Sequence, residues 1–138
     1  MALPTKLVLE VVTPEGFLLK EDVDEVIAPG EEGYFGVLPG HTPFLTTLGV
    51  GQITYRQGAV QNLLTCFWGF CEVLPDKVNI LAELGERAAE IDVARAEKAK
   101  TQAEDRMKAI KDEAGYADAH QAYVRAITRL AVARKQRG

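Results

Sequence analysis

Apolar and polar residues follow two different rhythms along this 138-residue chain. Up to about residue 83 they alternate in short runs. LVLEVV (7–12) is β-branched and apolar, and GQITYRQG (51–58) points Ile53 and Tyr55 one way and Gln52, Thr54 and Arg56 the other. KVNIL (77–81) puts Val78 and Ile80 on one face. A period of two marks strands with one buried side. Turn residues separate the runs: Pro14-Glu15-Gly16, Pro29-Gly30, Pro39-Gly40, Gly49, Gly51, Gln57-Gly58 and Pro75-Asp76. Short strands closely punctuated by turns predict an antiparallel sandwich or barrel.

Near Gly85 the rhythm changes. Beyond Glu90 there is no proline, and the apolar period becomes helical. Residues 86–138 read as two helices joined by a short Gly-Tyr turn. Asp92 is placed to cap the first, Gly115 to end it, and Tyr116-Ala117 to open the second. Their apolar stripes are mostly alanine: Val93, Ala96, Ala99, Ala103, Met107 and Ile110, then Ala119, Ala122, Ala126, Leu130 and Ala133. Such stripes bury little area, so at roughly 25 cal/mol per Å² the hydrophobic gain is modest while helix propensity stays high. The pattern predicts an α+β chain, with an antiparallel β-sandwich over 1–85 and a loosely docked antiparallel two-helix hairpin over 86–138.

Composition narrows the chemistry. The content is 47% hydrophobic and 26% charged, as in soluble globular proteins. No apolar run reaches the ~18 residues of a membrane span, and the first residues lack the basic and apolar regions of a secretion signal. Cys66 and Cys71 fit neither a zinc knuckle nor a CxxC redox pair. Their odd separation on one strand predicts opposite faces. They read as free, buried thiols suited to a reducing cytoplasm.

There is no serine, which removes the serine hydrolases. Neither His41, in a Pro-Gly-His-Thr-Pro turn, nor His120 has partners at metal-ligand spacing. No phosphate loop precedes a helix, and the acidic pairs Asp22/Asp24 and Glu31/Glu32 read as exposed charges. No catalytic or metal site is expected.

Charge divides the chain again. Residues 1–85 carry 4 basic and 11 acidic side chains, a net −7, whereas residues 86–138 carry 12 and 9, a net +3. The acidic body disfavours nucleic acid, and the alanine faces lack the bulk to enter a membrane surface. Within the basic arm, Arg125 and Arg129 share one face of the second helix. A hairpin centred near residue 114 brings Arg95, beside the first helix's free N–H groups, within about one turn of Arg129. Three guanidinium groups near a helix N-terminus suit a polyanion such as a nucleotide triphosphate. The same arginines also suit pairing with acids such as Glu104 or Asp118.

Several stretches resemble the epsilon subunit of F-type ATP synthases: KLVLEVVTPEG (6–16), VIAPGEEGYFGVLPGHTPFLTTLGVGQI (26–53) and GFCEVLPDKVNILAE (69–83). Ile91-Asp92-Val93-Ala94-Arg95-Ala96 is similar to that family's nucleotide motif, and Val124 to Leu130 is similar to its paired arginines. Where many relatives carry Gly-Gly, this chain has Trp68-Gly69. The resemblance implies a non-catalytic central-stalk subunit whose sandwich joins the gamma subunit to the c-ring. It implies a hairpin able to extend toward the alpha/beta catalytic head and restrain hydrolysis, presenting Arg125, Arg129, Arg134, Lys135 and Arg137 to an acidic segment of beta. It implies ATP as a regulatory ligand on Ile91, Asp92, Arg95, Ala96, Arg125 and Arg129, with no required cofactor. The implied location is the cytoplasmic face of the plasma membrane, reached only through the complex. The alternative is a stand-alone nucleotide-sensing module.

Overall fold

The computed structural model describes residues 4–137, leaving out the side chain of Arg137. Seven strands come first: β1 (Leu7–Thr13), β2 (Gly16–Val23), β3 (Glu25–Gly30), β4 (Gly33–Val37), β5 (Phe44–Gln57), β6 (Val60–Leu74) and β7 (Lys77–Arg87). A 3-10 turn (Ala88–Glu90) leads into α1 (Val93–Ala109) and α2 (Glu113–Arg137). The strand order is β2-β1-β7-β6-β5-β3-β4. Neighbours run antiparallel except β1 and β7, which are far apart in sequence and pair parallel. The alternating positions meet in one core. Leu7, Leu9 and Val11 share a single buried cluster with their strand neighbours Val78 and Ile80 and with Ile53 and Tyr55, the inside of a β-sandwich.

Three expectations change. Gly49 and Gly51 lie inside the 14-residue β5, and Pro29-Gly30 forms the end of β3, with the turn following at Glu31-Glu32. Gly51 has a packing role: a Cβ there would lie 2.4 Å from the Tyr34 hydroxyl, which accepts the Gln52 N–H at 3.1 Å. The two cysteines do not occupy opposite faces. Both belong to the sandwich core, because Trp68 (φ 63°) and Gly69 (φ 151°) reverse the facing of β6 between them. Burial pushes both thiols up to about 12, so they stay protonated.

The third change concerns Gly115, which does not end α1. Ile110 caps that helix, and Gly115 lies in the first turn of α2, donating its N–H to the Asp112 carboxylate at 3.0 Å. A Cβ at Gly115 would lie 2.6 Å from the Ile110 side chain, which would have to shift to admit it. The alanine seam forms as the pattern requires, with Ala96, Ala103, Ala119, Ala126 and Leu130 buried. The end of α2 adds more: Val132 and Ala133 pack with Leu63 of β6, Ala88 and Ile91 into a second apolar cluster. β7 continues to Arg87, whose guanidinium donates to the Leu18 carbonyl at 2.8 Å.

Candidate ligand cleft at the base of the hairpin

The chain from Glu86 to Ala96 positions a cleft of about 550 Å³ between sandwich and hairpin. The strand supplies Leu84 and Glu86, the linker supplies Glu90, Ile91 and Asp92, and α1 supplies Arg95, Ala96 and Ala99. Glu15 closes one side from the β1–β2 turn, and Arg129 closes another from α2. Ile91 is buried, and its N–H donates to the Ala88 carbonyl at 3.2 Å, which fixes the entry into the helix. Asp92 is the N-cap of α1 and accepts the Arg95 N–H at 3.0 Å, as its place before the first periodic residue predicts. Ala96 presents a small side chain to the seam, so the helices approach closely beside the cleft.

Arg129 is held from two sides. Its Nε donates to the Glu86 carboxylate at 2.8 Å, and its guanidinium lies 5.0 Å over the Phe67 ring. The same Glu86 oxygen accepts the hydroxyl of buried Thr65 at 3.1 Å. Pairing with Glu104 or Asp118 does not occur; Asp118 takes Arg106 instead, at 3.0 Å. Among the described residues no ion pair engages Arg95 or Arg125.

Five of the six residues singled out by sequence therefore converge, while Arg125 does not line the cleft. The sequence reading did not find the acids. Glu15, Glu86 and Glu90 join Asp92, so four carboxylates face two guanidinium groups. Glu86 lies at the end of a strand, and no spacing rule links it to a residue 43 positions away. Among the described residues no group of three or more His, Cys, Asp or Glu is arranged to hold a metal ion.

A second surface lies on the outer face of the sheet, beyond the kink at Trp68-Gly69. Phe70 pairs across strands with Leu81, and both are more than half exposed, as is Leu45. With Val12 they make an apolar row flanked by Glu10, Glu72 and Asn79.

The profile of the ATP synthase delta/epsilon chain β-sandwich domain matches residues 6–88, and that of the long α-helix domain of the same chains matches residues 89–134. The ATP synthase epsilon chain of Syntrophobacter fumaroxidans is 50% identical over 130 residues, covering 94% of this chain and 97% of that one. The chain belongs to the ATP synthase epsilon family. The epsilon chain of Nitratidesulfovibrio vulgaris is 47% identical over 124 residues, covering 90% of this chain and 92% of its own length. As an epsilon chain, the protein is a component of an ATP synthase complex.

Its fold is also that of a chain in the Euglena gracilis mitochondrial ATP synthase, with a TM-score of 0.83 at 24% identity, covering 95% of this chain and 83% of that one. A chain from the central stalk and c-ring of the Tetrahymena thermophila enzyme gives a TM-score of 0.62 at 18% identity, covering 96% of this chain and 99% of that one. Among the described residues no helix is long and apolar enough to cross a membrane.

Proposed function

We infer that this epsilon chain is a non-catalytic rotor-stalk subunit whose sandwich joins the gamma subunit to the c-ring and whose hairpin is a regulatory arm sensitive to ATP. The observation that carries the reading is which elements build the cleft. Its walls come from β7, the linker, α1 and α2 together. A ligand seated there touches the sandwich and both helices, so it binds only the folded arm and favours that state by its differential affinity. Arg95 and Arg129 bracket the phosphates, and the Asp92-capped start of α1 adds its N–H groups. Ile91 and Ala96 shape the wall, and Arg125, one turn from Arg129, reaches a long polyphosphate from outside. Release of Arg129 from Glu86 accompanies binding, because one guanidinium then exchanges a carboxylate for a phosphate.

The apolar row of Val12, Leu81, Phe70 and Leu45 is the surface suited to the gamma subunit, and the exposed Glu31-Glu32 turn and Leu38 suit the c-ring. When the arm extends, Arg125, Arg129, Arg134 and Lys135 become a positive ladder for an acidic segment of beta in the alpha/beta head. Arg137, the last member of that ladder, has its side chain outside the described residues. Extension exchanges the docked pairs of Arg129 with Glu86 and of Arg134 with Glu97 for contacts on that partner. The chain then lies on the cytoplasmic face of the plasma membrane, held there through the complex.

Three measurements test this reading. ATP hydrolysis by the reconstituted complex should rise when residues 91–138 are removed; unchanged activity would reject the arm's restraint. Calorimetric titration should show weaker ATP binding for Arg129→Ala than for Lys108→Ala, and equal affinities would reject the cleft as the nucleotide site. Co-purification with a gamma subunit separates this reading from a free-standing nucleotide sensor.

A further inference from the structure

β7 parts from β6 after the Leu64–Arg87 bridge, where the chain turns into Ala88–Glu90. β6 itself begins at Val60, so Gln61, Asn62 and Leu63 have β5 on one side and no strand on the other. Leu63 is buried, and a backbone N–H left unmet there would be destabilising.

The last turn of α2 meets it with a side chain. The Gln136 amide oxygen accepts the Leu63 N–H at 2.6 Å, and its amide nitrogen donates to the Gln61 carbonyl at 3.1 Å. The two strand groups lie two residues apart on one edge. A parallel neighbouring strand would satisfy such a pair with the N–H and C=O of one residue. A glutamine side chain carries the same donor and acceptor. Val132 and Ala133, one turn earlier on α2, pack on Leu63, Ala88 and Ile91 beside the contact.

The structure assigns Gln136 as the latch of the hairpin: its amide replaces the missing strand at the open edge of β6, so α2 is fastened by sheet-type hydrogen bonds as well as by its alanine seam. Gln136 lies 40 positions or more after the Ile91–Ala96 motif in sequence, and the latch uses none of the cleft residues. Gln136 is a positioning residue, and as a latch it rests on the reading that the arm leaves the sandwich. When it does, the Gln61–Leu63 edge loses its partner.

Amide hydrogen exchange of the full-length chain, read residue by residue by NMR, tests the latch. In Gln136→Ala the Leu63 amide should exchange about tenfold faster, while the Ile53 and Ile80 amides inside the sandwich keep their rates. Gln136→Glu retains an acceptor for Leu63 but loses the donor to Gln61, and should give an intermediate rate. Lys108→Ala, at an exposed position of α1, should leave the Leu63 rate unchanged. Unchanged Leu63 exchange in Gln136→Ala overturns the latch, as does acceleration shared equally by Ile53 and Ile80. The mobile arm fails separately: if Ala126 and Ala133 in the native chain open only with the sandwich core, the arm does not detach, whatever Leu63 does in the variant.

Discussion

Arg129 Nε lies 2.8 Å from the Glu86 carboxylate, and this pair joins the end of β7 to the middle of α2. Each side chain is 26% exposed, so water screens the pair only in part. The Phe67 ring beneath the guanidinium adds a cation–π contact. Replacing Arg129 with alanine removes both and leaves Glu86 with only Thr65. The docked hairpin should lose about 1–2 kcal/mol. Exchange at Ala126 should accelerate accordingly, with no change at Ile80; Arg129→Lys should recover only part, because lysine lacks the planar stack.

Asp24 provides a pH-dependent staple at one end of the sandwich. It accepts the Gly58 N–H at 2.7 Å and pairs with Lys6, and Arg56 lies 3.7 Å away. The Gly58 hydrogen bond, then Lys6, hold its carboxyl below the usual 3.8. A depressed carboxyl favours the folded state fully above the unfolded value and loses that contribution as pH falls through the folded value. Asp24→Asn should therefore lower Tm at neutral pH. The gap between variant and native chain should shrink only below about pH 3.8, as thermal unfolding across pH 2–7 would record.

Gly69 is fixed by its neighbours. Its φ is 151°, and a Cβ would lie 2.1 Å from the Leu81 carbonyl oxygen. Since that contact is backbone, the strand must move. Gly69→Ala should cost more than about 4 kcal/mol, seen as a lost or sharply lowered unfolding transition. Gly36, in β4, has open space around its Cβ position, and Gly36→Ala should leave Tm within the range of ordinary surface substitutions.

Truncation should depend on a few residues. β7 pairs Glu86 with Thr65 and Arg87 with Leu64, and Arg87 also holds Leu18. A chain ending at Glu90 keeps all three contacts and should unfold cooperatively as a sandwich. A chain ending at Gly85 loses them and should have a measurably lower urea midpoint.

Much of the fold was legible because its signals are local. Alternation set Val78 with Ile80 and Ile53 with Tyr55 on buried faces, and all four belong to the core. Asp92 stands where a first-turn N–H needs an acceptor, so its capping role could be read directly. The cysteines could not be read this way. Parity along a strand assumes a regular backbone, and the left-handed pair Trp68-Gly69 breaks it. Glycines at 49 and 51 also misled, since the sequence does not distinguish a glycine that turns the chain from one that makes room for Tyr34.

By itself the sequence determined the division into sandwich and hairpin, the helix entry at Asp92, and the family to which the chain belongs. These depend on periodicity, capping and motif, each confined to neighbouring residues. Only the tertiary structure decided that Glu86 claims Arg129, that Arg125 stands outside the cleft, and that Gln136 completes the edge of β6. Those pairings join elements many residues apart. Their partners are chosen by how strands twist and where a helix ends against them, which no local pattern encodes.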